Sequence, residues 1–370
     1  MRVESGVPPW FLVSKPLRPP FRDGSTVLVR GLVEHMPAAR RVVYLGDPSH
    51  PLRPDVEVIS APAMDYSPGF MAKAQVFASM MHPKRREWPL HLFFTPNGAT
   101  SRVLRMLRGL QTRRMMVQSL MSAHDVEAWV KWLRPLDAVV VLSEHTRGRL
   151  LAAGLPAEKV RRIYPGVAAA KADTPADIAK RWRLLYAGDL DATVAARLIE
   201  VAQALPAMGW RLTIACRPKG AEDAAARAQL QARLGPQLAD GTVTLLAEVE
   251  DMDALMRKCS LQIFVADHVR HKVDVPLVLL EGLARGLPVV SVSGTPVGEI
   301  FAVAAGRRVE AGLEVADVGE LLGVLGAAPR WLARWSAGAA RVAQEFSLPT
   351  MVAQYTALYD EMERRRASER

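Results

Sequence analysis

The stretch HKVDVPLVLLEGLARGLPVVSVSGTPVGEI, His271–Ile300, decides the fold. It begins as a short loop and continues as a strongly apolar segment of helical length. It ends in the apolar run Pro288–Val292, followed by a glycine-containing turn. A helix that leads into a continuously apolar strand is typical of a parallel sheet covered by helices.

The same alternation of apolar runs and helical periodicity fills the first half of the chain. The runs are continuously apolar, as expected of strands that helices cover on both faces. We therefore predict a doubly wound, mostly parallel α/β sheet. Its strands are expected at Trp10–Val13, Arg41–Leu45, Val56–Ile59, Leu90–Phe94, Met115–Ser119 and Ala138–Leu142.

The segment AAAKADTPADIAK, residues 168–180, interrupts this pattern with small and polar residues and no core-facing stripe. We predict an N-terminal domain over 1–167, a linker over 168–180, a second doubly wound domain over 181–346 and a C-terminal helix over 347–370. Strands of the second domain are expected at Arg183–Ala187, Arg211–Cys216, Val243–Leu246, Leu261–Val265 and Pro288–Val292. The last helix carries one apolar face, formed by Met351, Val352, Tyr355, Leu358, Tyr359 and Met362.

The composition is that of a globular protein of two domains. The chain has 370 residues, of which 50% are hydrophobic and 23% charged, which excludes a disordered chain and a disulfide-stapled miniprotein. Lys and Arg number 48 against 38 Asp and Glu, a net charge of +10. This charge permits anionic partners. Nucleic acid is not expected, because no aromatic stacking pattern, zinc finger or helix-turn-helix accompanies the arginines.

Cysteine usage and hydropathy predict a protein of a reducing compartment. Cys216 and Cys259 form no CxxC and no metal-ligand spacing, so we expect two free thiols and no zinc site. The opening MRVESGVPPWFLVSKP has too short an apolar stretch for a signal peptide, and no window is apolar enough to span a membrane. We expect a cytoplasmic protein, either soluble or peripheral at the inner membrane face.

Glu281 lies inside the apolar helix and needs an explanation. Burial of a carboxylate is costly without hydrogen bonds, so Glu281 either faces solvent or accepts bonds from a ligand such as the vicinal hydroxyls of a ribose. Pro276 fits the first turn of this helix, with Asp274 or Val275 as its N-cap. The backbone around Val275, Pro276 and Leu277 is then a candidate anion site; a simple capping Asp is the alternative.

Three stretches resemble one enzyme family. The order LVLLEGLARGLPVV, followed by Glu299 and Ile300, resembles the donor-binding signature of retaining GT-B glycosyltransferases of family 4. The stretch VVVLSEHTRGRLLAAGLPAEKVRRIYPGV, Val139–Val167, is similar to the end of that family's N-terminal domain, and PPFRDGSTVLVRGLV, Pro19–Val33, resembles its first loop and helix. The resemblance spans nearly the whole chain. It implies two Rossmann-like domains facing a central cleft, with the C-terminal helix packing back on the N-domain.

The sequence departs from the family pattern at two donor positions. The first Glu of the family's motif falls on Val273, with Asp274 one place later, so a contact to the transferred sugar falls to Asp274. Asp189 stands where the family has an Arg. The strand end at Gly188 and Asp189 resembles a variant branch of the family, and on that resemblance Gly188 lies at the donor.

In the same variant branch, other basic residues hold the diphosphate. The matching motifs are Ala-Cys-Arg-x-Lys and Lys-Val-Asp-x-Pro, which put Arg217, Lys219 and Lys272 at the donor. The alternative for each is a solvated surface charge. All three follow predicted strands, and the carboxyl ends of parallel strands are where ligands bind.

The resemblance implies transfer of a sugar from a nucleotide-diphosphate sugar to an acceptor with retention at the anomeric carbon. The acceptor is a glycan, a lipid-linked saccharide or a small molecule. No metal and no cofactor beyond the donor are expected. The amides of Gly24 and Ser25 are candidate phosphate contacts, while Asp23 and Asn97 are candidates to face the sugar or acceptor. Ordinary turn residues are the alternative for both side chains.

The stretch SRVLRMLRGLQTRRMM, Ser101–Met116, predicts a basic amphipathic helix. Such a helix suits an anionic membrane surface and a lipid-linked acceptor, although a normal surface helix of a basic protein has the same pattern. Two other functions share the expected architecture. One is a nucleotide-sugar epimerase, and the other is a catalytically weak GT-B scaffold that binds partners, which the substitutions at the donor positions also permit.

Overall fold

Two parallel sheets organise the chain in the computed structural model. The structure describes residues 8–19, 21, 23–61, 70–110, 114–122, 124–169, 182–218, 220–269, 273–302 and 311–368. Unit 1 contains Met1–Gly166, Arg270–Val275 and Leu348–Arg370, and unit 2 contains Val167–Val269 and Pro276–Ser347. The chain therefore leaves unit 2 for one short segment and again for its final helix. Most of the predicted linker, residues 170–180, lies outside the described residues.

Unit 1 is built on a parallel sheet that, over the described residues, has seven strands in the order β3-β2-β1-β4-β5-β6-β7. Its six predicted strands are confirmed with small shifts at their ends. β7 was not predicted, because its three residues carry two arginines and form no apolar run. In chain order the elements are β1 (Trp10–Leu17), α1 (Gly24–His35), β2 (Val42–Gly46), β3 (Glu57–Ser60), α2 (Phe70–Met81), β4 (Leu90–Leu92), α3 (Gly98–Leu110), β5 (Met116–Leu120), α4 (Val126–Leu133), β6 (Ala138–Val141), α5 (Glu144–Ala152) and β7 (Val160–Arg162).

Unit 2 has a parallel sheet of six strands among its described residues, in the order β10-β9-β8-β11-β12-β13. The five predicted strands are confirmed, and β13 was not predicted. Its elements are β8 (Arg183–Ala187), α6 (Ala192–Met208), β9 (Arg211–Ala215), α7 (Ala221–Arg233), α8 (Gly235–Ala239), β10 (Val243–Leu246), α9 (Met252–Met256), β11 (Leu261–Phe264), α10 (Leu277–Ala284), β12 (Val289–Val292), α11 (Glu299–Ala302), β13 (Gly312–Val315), α12 (Val318–Gly326) and α13 (Leu332–Val342). Short 3₁₀ turns lie at Pro83–Arg85, Ala157–Lys159, Pro296–Gly298 and Ala328–Arg330.

The last helix, α14 (Leu348–Ser368), returns to unit 1 as predicted. Its apolar face is buried in the core beneath the sheet, where Trp10 and Tyr359 stack with ring centroids 4.0 Å apart. The Trp10 indole also donates to Glu363 Oε1 over 2.8 Å, and Arg40 pairs with Asp360 and Glu363. None of the described helices is both long and apolar enough to cross a membrane.

A buried polar network joins α14 to the middle of the unit 1 sheet. The His91 ring is fully buried, with Nδ1 2.7 Å from the Tyr359 hydroxyl and Nε2 2.8 Å from Ser119 Oγ. The Ser119 hydroxyl is in turn 3.1 Å from the Tyr355 hydroxyl. Burial lowers the pKa of His91 well below its usual value, so the imidazole is neutral and both its nitrogens have hydrogen-bond partners. His91 thus has a structural role in the core.

Close packing of α10 on β11 explains why glycine occupies position 282 in the EGLARGL stretch. Gly282 faces the buried side chain of Gln262, whose amide donates to Leu279 O over 3.1 Å. A methyl group on Gly282 would overlap that amide. Gly282 therefore permits the helix to approach the sheet with the buried amide satisfied.

We expect Gly282→Ala to lower the free energy of unfolding by about 1–3 kcal/mol, because the packed helix or the Gln262 amide must shift. Gly323, an exposed glycine inside α12 with nothing close to its missing Cβ, is the matched control. Gly323→Ala should leave the protein unchanged or more stable by up to about 1 kcal/mol. Urea titrations of both variants test this, and equal stability of the two would contradict the packing argument.

Candidate functional site

In both sheets the first strand lies in the middle, so the chain reverses its winding beside it. The reversal falls between β1 and β4 in unit 1 and between β8 and β11 in unit 2. At such a switch point the loops after the two strands separate and leave a crevice at their carboxyl ends. Each unit therefore has one position where its own topology favours a ligand.

At the switch point of unit 2, a contact between His268 and Asp191 joins the loops that follow β8 and β11. His268 Nε2 lies 3.2 Å from Asp191 Oδ2. The other oxygen of Asp191 caps α6, since Oδ1 accepts a hydrogen bond from Val194 N over 2.8 Å. Asp191 thus links an imidazole to the amino end of a 17-residue helix, where the helix dipole also favours negative charge.

A second contact from α6 holds the same loop. Arg197 Nη1 donates to Val265 O over 2.7 Å, and Nη2 donates to Asp267 Oδ2 over 3.3 Å. Because Asp191 and Arg197 both lie at α6, the segment from Val265 to His268 is fixed at two points. Three of these site residues were not predicted from the sequence: Asp191, Arg197 and His268. Only Asp191 has a local pattern that marks it, because it directly precedes a helix.

Of the three predicted cations, Arg217 lies at a strand end that the structure describes. Gly188 follows β8, and its N–H donates to Ala215 O over 3.2 Å. Arg217 follows β9 by two residues and is half-buried. Lys219 and Lys272, the other two predicted cations, lie outside the described residues.

Glu281 lies in the second turn of α10 and is partly buried. Burial raises the pKa of its carboxyl above the usual value; nearby Arg285 counters the effect, and Asp253 adds to it. The Arg285 guanidinium donates to the backbone carbonyl of Glu281 over 2.7 Å and pairs with Asp253. Within the described residues the Glu281 carboxylate has no hydrogen-bond partner, so it is available to ligand hydroxyls.

Asp274 has a different environment from the one that its predicted sugar contact needs. It is fully buried in unit 1, and its Oδ2 accepts hydrogen bonds from Ser143 Oγ over 2.8 Å and Thr146 Oγ1 over 2.5 Å. Its N–H donates to Met121 O over 3.1 Å. Ser143 is the N-cap of α5. The Asp274 carboxylate therefore anchors a short segment of chain at the amino end of α5.

The start of α10 also differs from the prediction. Neither Asp274 nor Val275 caps this helix: the N-cap is Pro276, which makes no side-chain cap bond, and the helix begins at Leu277. Asp274 instead accepts hydrogen bonds from residues at the start of α5, and the Val275 side chain has no atom that could accept a cap bond. The amide groups of the first turn of α10 have no side-chain cap.

In unit 1, Asp23 and Asn97 follow the neighbouring strands β1 and β4 and begin helices. Asp23 caps α1, since its Oδ1 accepts from Thr26 N over 3.0 Å and from Ser25 Oγ over 2.5 Å. Burial raises the pKa of Asp23, but these bonds and Lys15, 3.7 Å away, outweigh it and lower the pKa below the usual value. Gly24 is the first residue of α1.

Asn97 has the equivalent position before α3, where its Oδ1 accepts from Thr100 N over 2.9 Å. Both side chains therefore stabilise helix ends at the switch point of unit 1. Elsewhere, the two cysteines are free and buried, as predicted. The described part of the chain contains no group of three His, Cys, Asp or Glu side chains that could hold a metal ion.

Comparison with solved structures identifies the architecture. HepE from Anabaena, in complex with UDP and glucose, has a TM-score of 0.70 and 14% identity over 95% of this chain and 99% of its own. Sucrose-phosphate synthase from Thermosynechococcus elongatus has a TM-score of 0.69 and 20% identity over 96% and 99%. WaaG, a glycosyltransferase involved in lipopolysaccharide biosynthesis, has a TM-score of 0.64 and 15% identity over 94% and 99%.

The fold is GT-B. Residues 181–322, most of which belong to unit 2, match the family described as glycosyl transferases group 1. No curated protein matches the sequence. The predicted fold class is thus confirmed, and the matched segment includes Gly188, Arg217 and Glu281.

We expect Asp274→Ala to lower the free energy of unfolding by about 1–3 kcal/mol, because two buried hydroxyls lose their acceptor. The double variant Asp274→Ala/Thr146→Val should lose less than the sum of the two single variants, which a double-mutant cycle in urea measures. An Asp274→Ala protein of unchanged stability that binds donor but transfers no sugar would instead support the predicted sugar contact.

We expect Glu281→Gln to raise the melting temperature at pH 7. The raised pKa means that the folded protein holds this proton more tightly than the unfolded chain, so ionisation above the unfolded pKa costs stability that the amide does not lose. The shift should be a few degrees, at about 2–4 °C per kcal/mol for a domain of this size, and should disappear below about pH 4, near the unfolded pKa. Calorimetry across pH checks this; a lower melting temperature at pH 7 would show that the carboxylate is stabilised in the apo protein.

Proposed function

We propose that the protein is a glycosyltransferase that moves a sugar from a nucleotide-diphosphate sugar to an acceptor. The observation that most supports this proposal is the arrangement of side chains at the unit 2 switch point. Arg217 follows the carboxyl end of β9, His268 follows that of β11, and Glu281 lies on α10. These groups supply two basic side chains for phosphate and an available carboxylate for ribose hydroxyls. The family match over residues 181–322 supports this use of unit 2.

The chemistry follows from charge development at the leaving diphosphate. As the bond from the anomeric carbon to the donor phosphate breaks, negative charge grows on the phosphate oxygens, and preorganised donors and cations stabilise it. We assign this work to Arg217, Lys219, Lys272 and His268, together with the uncapped amides at the start of α10. A phosphate oxygen takes the proton of the acceptor hydroxyl, and attack from the side of the leaving group gives retention.

The proposal requires no metal ion, because cationic side chains take the place that a divalent ion would have at the diphosphate. No further cofactor enters the reaction. In unit 1, the amides of Gly24 and Ser25 remain proposed phosphate contacts. Asp23 and Asn97 remain proposed contacts for the sugar or acceptor, through the groups that helix capping leaves available.

Among nucleotides, UDP is the first choice for testing, because HepE is solved with UDP, with UDP and glucose, and with UDP-glucose. Binding of UDP by wild type should raise the melting temperature without magnesium. GDP, ADP, TDP and CMP are the comparison set. Formation of a glycoside from UDP-glucose and an acceptor separates transfer from epimerisation, which returns only an altered nucleotide sugar, and from a scaffold, which returns neither.

We expect Arg217→Gln to weaken UDP binding by about tenfold or more, the range of one charge-assisted phosphate contact. Arg233→Gln is the matched control, since Arg233 is an exposed arginine in the last turn of α7 in the same unit. Isothermal titration calorimetry measures both. Equal affinity in the two variants, with folding intact, would remove Arg217 from the donor site.

For the acceptor, we propose a glycan or lipid-linked saccharide and a cytoplasmic protein that docks on an anionic inner membrane face. The outer face of α3 supports this docking. Arg102 and Arg105 are exposed on it. Met106, which lies in the sequence between Arg105 and Gly109, is 43% exposed. Cations beside an exposed apolar side chain suit a lipid surface of negative charge.

The double variant Arg102→Gln/Arg105→Gln should bind vesicles of phosphatidylglycerol and phosphatidylcholine about tenfold or more weakly than wild type, at about 1 kcal/mol per basic residue near the surface. Co-sedimentation measures this. The double variant Arg233→Gln/Arg341→Gln removes the same charge from exposed positions of unit 2 and is the control. Equal binding by both variants would exclude α3 as the docking face.

A further inference from the structure

A cavity of about 270 Å³ lies in unit 1 at the amino ends of β5, β6 and β7, beside the last turns of α14. The amino ends of parallel strands are at the opposite edge of the sheet from the carboxyl ends. The proposed contacts of unit 1 to donor and acceptor follow the carboxyl ends of β1 and β4. This cavity is therefore a separate place in the unit.

The cavity wall is strongly basic. Six cationic side chains line it against three acidic ones, so its net charge is positive. The acidic residues are Asp137, Glu158 and Glu361. The cationic residues are Arg108, Arg114, Lys159, Arg161, Arg365 and Arg366. Charges of one sign gathered around a concave surface raise the local concentration of counter-ions.

One of the cations, Arg114, is deeply buried, and Arg366 is partly buried. The Arg114 side chain is 1% exposed, and burial lowers the pKa of its guanidinium to about 10, which still leaves it protonated at neutral pH. It donates to Trp88 O and Met80 O, each over 2.8 Å. The Arg366 side chain is 12% exposed. Its Nη2 pairs with Glu87 Oε2 over 3.3 Å, while its Nε is buried with no hydrogen-bond acceptor among the described residues. Buried cationic donors of this kind are stabilised by a bound anion.

Lys159 adds a charge that no described carboxylate neutralises. Its Nζ donates to two backbone carbonyls, Arg134 O over 2.9 Å and Leu136 O over 2.8 Å. An ammonium group has three N–H donors, so one remains for another acceptor. Because Lys159 lines the cavity, an anion bound there can take this bond.

Within the cavity, Glu361 lies between two arginines. One of its oxygens is 2.9 Å from Arg161 Nη2 and 2.5 Å from Arg365 Nη2. A carboxylate held by two guanidinium groups shows that these side chains converge on one anionic group. A phosphate, with more acceptor oxygens and more charge, can bind both guanidinium groups from the open side of the cavity.

We propose that this cavity is a phosphate-binding site, for the phosphate of a soluble phosphorylated compound or of a lipid headgroup. Its position apart from both switch points makes it independent of the donor site. Failure of this proposal would therefore not contradict the proposed glycosyltransferase function, and failure of that function would not contradict this proposal.

Pyrophosphate is the probe for the soluble source, titrated by calorimetry into the full-length protein at constant ionic strength, with UDP present to occupy the donor site. Arg365→Gln should weaken pyrophosphate binding by about fivefold to tenfold. Arg364→Gln is the matched control, because Arg364 is the exposed neighbour on α14 that does not line the cavity; it should change binding by less than about twofold. Glu361→Gln should tighten binding, because it removes the competing carboxylate.

Vesicles of phosphatidate in phosphatidylcholine are the probe for the lipid source, with the same three variants. Pyrophosphate or vesicle binding that falls in Arg365→Gln and rises in Glu361→Gln supports the site, and the probe that shows this order identifies the source. The proposal is overturned if neither probe binds wild type. It is also overturned if Arg364→Gln and Arg365→Gln lose binding equally while Glu361→Gln gains none.

Discussion

The central position of the first strand in each sheet is the constraint on which the site depends. Because β8 lies between β9 and β11, the loops after β8 and β11 diverge, and the chain must hold them by other means. Asp191 and Arg197 of α6 do so through His268, Val265 and Asp267. The proposed donor site is thus a consequence of strand order, with α6 as the element that fixes its walls.

Much of this architecture could be predicted from the sequence, because buried parallel strands are continuously apolar. The short strands β7 and β13 could not, since Val160–Arg162 carries two arginines and Gly312–Val315 carries a glycine and a glutamate. The EGLARGL stretch was informative for a physical reason: Gly282 packs against a buried amide, and the carboxylate of the partly buried Glu281 has no hydrogen-bond partner among the described residues. Both features restrict which residue types can occupy these positions, and the sequence therefore shows them.

The site itself was only partly predictable, because roles within it depend on contacts distant in sequence. Asp274 follows the donor-loop pattern, but its carboxylate bonds to Ser143 and Thr146, about 130 residues earlier in the chain. Asp23 is the opposite case. It directly precedes a helix in the sequence, and in the structure its side chain caps that helix. The pair of His268 and Asp191 has no local signal, since the residues meet only through the adjacency of β8 and β11.

Hydrogen–deuterium exchange with and without UDP-glucose tests the central claim, that unit 2 binds the nucleotide at its switch point, most directly. A bound nucleotide protects the amides that it contacts or holds in place. The account predicts that protection in unit 2 is concentrated in residues 188–194, 216–218, 265–269 and 276–281. Protection of equal strength at the amino ends of the unit 2 strands, or saturable binding with protection confined to unit 1, would contradict it.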